Sequence, residues 1–367
     1  MILGEIANKR LINQQITKPH FRSAKGLVHW MGAMQAQDYA MAKWAIGLRL
    51  PGSTERLIET AIDKGEIIRT HLLRPTWHFV SEDDVYWMLE LSASKIKTSA
   101  KARHKELELT ESILTKSNEI IEKALTGNNH LTREELMTHL AVAGIRTNEN
   151  RSSHIMLNAE LDGLVCSGAC KNKKHTYALL KERVQKVNNL SKEEALAKLA
   201  SRYFASHGPA TFQDFRWWSG LSPADARQAF ETVKPSLVLE TIGTQAFWIP
   251  DSFNVPNNGS KSSVYLLPAY DEYIISYTDR RAALSPENQK KTISMNGFFK
   301  PVIVVNGQIT GLWKRTIKKD KVIIEPAFFK PHGKELRHLI SQASESFGKF
   351  LEKEAEIRYE TKQPSLS

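Results

Sequence analysis

The alternation of apolar and polar positions predicts helices in groups of three, each followed by a pair of short strands. In the clearest group, these patterns predict helices at residues 113–125, 136–144 and 150–163 and strands at 164–168 and 175–180. Thr132 and Glu135 have the spacing of a capping box before the second helix, and Gly144 ends it. Three helices and a hairpin predict a winged helix-turn-helix.

Two other groups follow the same order. The later group has predicted helices at 192–208, 212–220 and 224–234 and strands at 236–243 and 245–251. The first group is less regular, with helices near 6–15, 23–35 and 55–64 and strands around Ile68 and Trp77.

An Asn-, Gly- and Ser-rich segment at 254–263 predicts a linker, and the pattern beyond it becomes strand-like before a final amphipathic helix. The predicted fold is therefore mainly α with β wings. It has three tandem winged helix-turn-helix modules and a smaller mixed α/β C-terminal domain, at residues 1–110, 111–186, 187–255 and 264–355.

Composition favours a polyanionic partner and a reducing compartment. The 367 residues include 51 Lys and Arg against 40 Asp and Glu, a net charge of +11. Cys166 and Cys170 are too few for a disulfide framework, and with His175 nearby they still lack a fourth metal ligand. No apolar run approaches the roughly 20 residues that span a bilayer. We expect a cytoplasmic, nucleoid-associated protein with no metal, no cofactor and no membrane contact.

The stretch Gln35-Ala36-Gln37-Asp38 carries the candidate chemistry. Residues two apart point to nearly opposite sides of a helix but share a face of an extended segment, so the glutamines can hold one ligand only where the chain is non-helical. Each amide offers two donors and an acceptor without charge, which suits holding a water or a sugar-phosphate oxygen. The alternative is a buried amide beside a helix cap.

The surrounding residues, HWMGAMQAQDYAMAKWAIGLRL at 29–50 and IIRTHLLRPTWHFVSEDDVYWMLEL at 67–91, resemble the AlkZ-like DNA glycosylases. That winged-helix family carries a Gln-apolar-Gln motif followed by an Arg-x-Thr-x-His segment. YLLPAYDEYIISYTDRRAAL and NGFFKPVIVVNGQITGLW extend the resemblance to about residues 6–348. It implies base excision by Gln35 and Gln37. A sister group has aspartate at the second position, so Gln37 favours the glutamine-pair subgroup.

Such a pair suits a leaving base that is already charged. An N-alkylated purine departs without much protonation, so orienting water and favouring charge in the transition state is sufficient. We expect Gln37 to position the water and Gln35 to fix the nucleotide backbone or share that water. Asp38 either caps a helix from Tyr39 or stabilises the oxocarbenium ion.

Arg74, Thr76 and His78 recur at intervals of two, so on a strand they share one face. Pro75 favours an edge strand or the beginning of a strand. Arg74 suits a phosphate, and His78 would orient Gln37 or contact the sugar of the lesion. The alternative is that Thr76 and His78 form an internal network.

Basic clusters supply candidate phosphate contacts, although charged runs are usually solvated faces. The candidates are Lys95, Lys97, Lys101, Arg103, Lys105, Lys171, Lys173, Lys174, Lys314 and Arg315. The predicted function is a monofunctional DNA glycosylase acting on cationic or bulky N-alkylated purines in double-stranded DNA, with no obligate protein partner. The rival is a non-enzymatic winged-helix regulator, which would have no use for a glutamine pair away from a recognition helix.

Overall fold

The computed structural model describes residues 2–172, 174–185, 190–251, 262–331 and 333–359. Lys173 and positions 254–261 of the predicted linker lie outside the described residues. Within those ranges the chain forms helices and four small sheets. No described helix is long and apolar enough to cross a membrane.

The first segment, residues 2–106, holds the glutamine pair. Its elements are α1 (Leu3–Asn13), α2 (Ala24–Met31), β1 (Ala33–Gln35), α3 (Tyr39–Arg49), α4 (Glu55–Asp63), β2 (Ile67–Leu72), β3 (Thr76–Ser81) and α5 (Val85–Glu106). The helix predicted at 23–35 is wrong beyond Met31, because Gly32 adopts a φ of +77° and turns the chain into β1. The strands form an antiparallel sheet in the order β1-β3-β2.

The second segment, residues 111–185, repeats that order of elements. It contains α6 (Glu111–Leu125), β4 (Leu131–Thr132), α7 (Arg133–Val142), α8 (Arg151–Leu161), β5 (Val165–Ser167), β6 (Thr176–Leu179) and the short α9 (Leu180–Arg183). The capping box predicted at Thr132 and Glu135 is present. The strand order β4-β6-β5 matches β1-β3-β2. The helices of the first segment that correspond to α6, α7 and α8 are therefore α2, α3 and α4, and the predicted helix at 6–15 precedes this set.

The third segment, residues 190–251, has the three predicted helices and the predicted hairpin. They are α10 (Lys192–His207), α11 (Phe212–Ser219), α12 (Pro223–Val233), β7 (Leu237–Ile242) and β8 (Gln245–Pro250), with a 3-10 turn at Lys234–Ser236. α10 and α11 both begin in capping boxes, and Ser222 caps α12 ahead of Pro223.

The C-terminal segment, residues 262–359, is a mixed α/β unit. It contains β9 (Val264–Leu267), α13 (Glu272–Ile275), a 3-10 turn at Pro286–Asn288, α14 (Gln289–Thr292), β10 (Val302–Val305), β11 (Gln308–Ile317), β12 (Lys321–Phe328), α15 (Lys334–Phe350) and β13 (Glu354–Ile357). Its five-stranded sheet has the order β13-β12-β11-β10-β9.

The hydrophobic cores extend across these segments. Trp44 of α3 packs against Phe347 and Phe350 of α15, with ring centroids 5.0 and 5.2 Å apart, and its indole donates to the carbonyl of Leu266 at 2.8 Å. A second core joins the opposite face of the β1-β3-β2 sheet to α10, α11 and α12. The first segment is therefore held between the third and C-terminal segments, and the predicted domain boundaries stay a prediction.

Candidate active site

The glutamine pair lies where β1 leaves its sheet. Gln35 is the last residue of β1 and pairs with His78 of β3, and the N–H of Ala36 donates to the carbonyl of Trp77 at 2.7 Å. Gln35 is 6% exposed, whereas Gln37 is exposed. The motif is non-helical, so the geometric condition for two amides to serve one ligand is met.

Arg74 holds the side chain of Gln35. It lies in the turn between β2 and β3, so the prediction that it shares a strand with Thr76 is wrong. Its Nη2 donates to Oε1 of Gln35 at 3.2 Å, and its guanidinium lies 5.7 Å from the ring centroid of Trp217. Burial lowers the pKa of Arg74, and the carboxylate of Glu272 opposes that effect. Nε of Arg74 is buried and has no hydrogen-bond partner among the described residues.

Thr76 and His78 lie on the central strand of the same sheet. Pro75 immediately precedes β3, which confirms a strand beginning, while the edge position is wrong. Nδ1 of His78 lies 2.9 Å from the carbonyl oxygen of Thr76, an acceptor that requires the proton on Nδ1 and leaves Nε2 as an acceptor. Burial, with the nearby charge of Arg74, lowers the pKa of His78 to about 3. This imidazole is therefore neutral at physiological pH.

The Arg-x-Thr-x-His segment thus brings three polar atoms without partners to the sheet that carries Gln35. Nε of Arg74 is a donor, the Thr76 hydroxyl can donate or accept, and Nε2 of His78 accepts; each is buried without a partner in the described part of the chain. Buried polar atoms of folded proteins are nearly always hydrogen-bonded, so this concentration indicates a site built for bound polar groups.

Glu272, a residue of α13 that the sequence did not assign to the site, lies beneath the motif. Its Oε1 accepts from the backbone N–H of Gln35 at 2.6 Å, and its Oε2 accepts from the Trp218 indole at 3.2 Å and from the Ser276 hydroxyl. Nε2 of His207 lies 3.6 Å from the same oxygen. Burial alone would raise the pKa of Glu272, but His207 and these donors outweigh it and lower the pKa to about 2. A buried carboxylate therefore fixes the backbone of Gln35.

Asp38 begins α3. Its Oδ1 accepts from the backbone N–H of Met41 at 3.1 Å, which confirms the predicted cap at the start of the helix from Tyr39. Its Oδ2 lies 3.9 Å from Nη2 of Arg315 in β11. This contact places one predicted DNA-binding residue beside the motif. A role of Asp38 in stabilising an oxocarbenium ion stays a prediction.

The other predicted DNA contacts fall into two groups. In the first group, each basic side chain already contacts a group of the protein. Lys95 donates to the carbonyls of Gly220 and Leu221, and the others form ion pairs: Lys97 with Asp162, Arg103 with Glu106, and Lys171 with Glu135. Lys101, Lys105, Lys174 and Lys314 are exposed. Binding of DNA by either group stays a prediction. Among the described residues, no group of three His, Cys, Asp or Glu side chains could hold a metal ion.

The fold is that of a solved DNA glycosylase. The chain superposes on DNA glycosylase AlkZ of Streptomyces sahachiroi with a TM-score of 0.81 and 18% sequence identity, covering 98% of this chain and 99% of that one. A curated relative from the same organism, an interstrand DNA cross-link repair glycosylase, is 22% identical over 337 residues, or 86% of this chain and 88% of the relative.

The sequence family agrees with the fold. The family model described as DNA glycosylase AlkZ-like matches residues 28–350, which include the glutamine pair, the Arg-x-Thr-x-His segment and Glu272. The chain belongs to the AlkZ-like family. It is a DNA glycosylase, as the resemblance at 29–50 and 67–91 predicted.

Proposed function

We propose that this glycosylase is monofunctional and hydrolyses the N-glycosidic bond of N-alkylated, cationic or bulky purines in duplex DNA. The observation that carries the proposal is the contrast within the glutamine pair: Gln37 is exposed on a non-helical segment, and Gln35 beside it is fixed at both its backbone and its side chain. A fixed amide next to an accessible one suits catalysis by positioning.

The hydrogen bonds support different roles for the two amides. Oε1 of Gln35 accepts from Arg74, so the amino group of Gln35 is the end that remains to donate to a phosphate or sugar oxygen. Gln37 is solvent-exposed, and its carbonyl can accept from the attacking water. We therefore assign the water to Gln37 and the nucleotide backbone to Gln35.

The protonation states support a cationic leaving base. With a pKa of about 3, His78 is a neutral imidazole at neutral pH, and Glu272, with a pKa of about 2, is ionised beneath the motif. Neither group can act as a general acid there. An N-alkylated purine needs little protonation because it already carries positive charge. Similarity to a cross-link repair glycosylase extends the proposal to bulky, cross-linked purines.

We also propose that the first three segments are winged helix-turn-helix modules that form a basic cradle for DNA in the cytoplasm, close to the nucleoid. The shared strand orders β1-β3-β2 and β4-β6-β5 support this assignment. The regulator alternative would use the third helix of a module to read a groove. In the second segment that helix, α8, is largely buried, with Ile155, Ala159 and Glu160 at 0% exposure, so it has little surface to offer DNA.

The proposal is tested by measuring abasic sites formed in a duplex containing N7-methylguanine. The native chain is compared with Gln37→Ala and with Gln342→Ala, which removes an exposed amide on α15. We expect the first substitution to slow base release by roughly 100-fold or more, the loss that follows removal of one positioned polar group from a catalytic site, and the second to leave it unchanged. Tight DNA binding without base release by the native chain would favour a regulator. Equal release by native and Gln37→Ala proteins would remove the assignment of the water to Gln37.

A further inference from the structure

A small cavity lies where the second segment covers the β2-β3 hairpin. Its volume is about 170 Å³, and its lining includes His71 and Trp77 of the hairpin, Tyr177 of β6, Arg133 of α7 and Glu160 of α8. It lies next to the glutamine pair, because the carbonyl of Trp77 also accepts the N–H of Ala36. The cavity contains neither glutamine and is a separate site.

Only one of the two carboxylate oxygens of Glu160 has hydrogen-bond donors among the described residues. Oε2 accepts from the backbone N–H of His71 at 2.9 Å, lies 2.7 Å from Nδ1 of the same residue, and accepts from the Thr70 hydroxyl at 3.4 Å. These contacts cap the open edge of β2. Oε1 has no partner among the described residues, although Glu160 is 0% exposed. Leaving a buried carboxylate oxygen without a donor is costly, so an N–H donor is the expected partner.

The rest of the wall suits a flat heteroaromatic ring. The rings of His71 and Trp77 lie 4.1 Å apart, and that of Tyr177 lies 6.4 Å from Trp77, which gives the cavity an aromatic side. The guanidinium of Arg133, held by the Ser152 hydroxyl at 3.2 Å, offers donors for a carbonyl oxygen. A cavity of ~150 Å³ takes up one benzene ring, so this partly open space matches a single base.

We propose that this cavity binds one nucleobase that presents an N–H beside a carbonyl, and that guanine is the preferred base. The N1–H and amino group of guanine would donate to Oε1 of Glu160, its O6 would accept from Arg133, and its edge would lie against the aromatic side of the cavity, since His71 and the guanidinium of Arg69 already cover the Trp77 ring at 4.1 Å each. Adenine lacks the carbonyl that Arg133 would bind. The base reaches the cavity either as a free base or as an unpaired base still attached to DNA.

Isothermal titration of the full chain with 9-methylguanine tests the site without any catalytic step. We expect saturable binding that weakens about tenfold or more for 9-methyladenine and for Glu160→Gln, since a hydrogen bond to a charged group contributes about that factor. Glu119→Gln, which makes the same change at an exposed carboxylate on α6 outside the cavity, is the matched control and should leave the affinity unchanged. Circular dichroism establishes that each variant is folded.

A ligand-side test avoids the structural role of Glu160. Methylation at N1, in 1,9-dimethylguanine, removes the imino N–H and should abolish most of the binding to the native protein. Competition with a duplex carrying one bulged guanine separates the two sources: displacement of 9-methylguanine assigns the site to a base within DNA, and no displacement assigns it to the free base. The proposal is overturned if 9-methylguanine fails to bind, if adenine binds equally, or if N1-methylation changes nothing.

Discussion

The carboxylate of Glu272 accepts a hydrogen bond from the backbone N–H of Gln35 at 2.6 Å, across 237 positions of sequence. The same side chain accepts from the indole of Trp218, so three segments of the chain meet beneath the glutamine pair. The position of the Gln35 amide therefore depends on the C-terminal segment as much as on its own strand.

Substitution of Glu272 should separate positioning from stability. Glu272→Ala leaves the Gln35 N–H and the Trp218 indole without an acceptor, and should lower the free energy of unfolding by about 3–5 kcal/mol, the cost of breaking a buried charged network. Glu272→Gln keeps one acceptor oxygen and should cost about 1–3 kcal/mol. Urea unfolding measures both.

The Glu272→Gln protein should also release base more slowly at saturating substrate, with a smaller change in KM, because a displaced Gln35 acts on the chemical step. Glu231→Gln, an exposed carboxylate on α12, is the control and should change neither quantity. A native kcat in Glu272→Gln would contradict the positioning role.

Gly220 fixes the turn that carries Arg74. Gly220 has a φ of +64°, and a Cβ there would overlap the carbonyl oxygen of Leu73, one residue before Arg74. Gly243 has a similar φ of +58° but open space around the same position. Gly243→Ala should therefore lower the free energy of unfolding by about 1–2 kcal/mol, which is the cost of placing alanine in a left-handed conformation.

Gly220→Ala should cost about 1–3 kcal/mol beyond that, because the β2-β3 turn must move. It should also reduce base release, which Gly243→Ala should leave intact. Denaturant unfolding and the abasic-site assay distinguish these outcomes, and equal behaviour of the two variants would show that the turn is not held by this contact.

Acid should destabilise the protein through His78. The pKa of His78 falls from 6.5 to about 3 on folding. Between these two pH values the imidazole is therefore protonated in the unfolded chain but neutral in the native chain. The contribution of neutral His78 to the free energy of unfolding is fully present above pH 6.5 and is lost as the pH falls toward 3. The lowered pKa of Glu272 adds a second loss, but only below its ordinary value of 4.5.

Between pH 6.5 and 4.5, His78→Gln should therefore lose less stability than the native chain, by up to about 1.4 kcal/mol per pH unit. Urea unfolding across this window gives the slope. His139→Gln, at an exposed position on α7, should keep the native slope. Parallel slopes for native and His78→Gln proteins would mean that this imidazole titrates normally.

Salt dependence of DNA binding should identify the basic residues that touch phosphate. Lys101 and Lys105 are exposed on α5, while Lys97 on the same helix pairs with Asp162. If both exposed lysines contact DNA, replacing them with alanine should reduce the slope of log K against log salt by about 0.9 for each. Lys97→Ala should leave it unchanged. A shift with Lys97→Ala alone would place the phosphate track on the other side of the helix.

The sequence allowed the family, the enzyme class and much of the secondary structure to be predicted because these depend on local motifs. Capping boxes such as Thr132 and Glu135 identify helix starts, and Asp38 was expected at the start of α3. The predicted helix over 23–35 failed at Gly32, whose left-handed conformation depends on the packing around it. α5 was missed because its buried apolar residues are confined to the stretch from Val85 to Ile96, and the remainder is charged.

In the candidate site, too, relationships within a local motif could be predicted and those between distant segments could not. Spacing related Thr76 to His78, but the hydrogen bond from Arg74 to Gln35 joins a turn to a strand and has no sequence period. Glu272 is 237 residues from its partner, and only its burial identifies it as more than a surface carboxylate. The pairing of Lys97 with Asp162 likewise follows from the packing of α5 on α8.

The packing of Trp44 against the rings of Phe347 and Phe350 makes α3 and α15 interdependent. A fragment truncated before α15 would expose this indole and the apolar face of α3, and aggregation during expression is its expected fate. During synthesis the glutamine pair emerges early, but α3 gains this support only when residues 334–350 have left the ribosome. A translation product that stops before α15 is therefore expected to release no base.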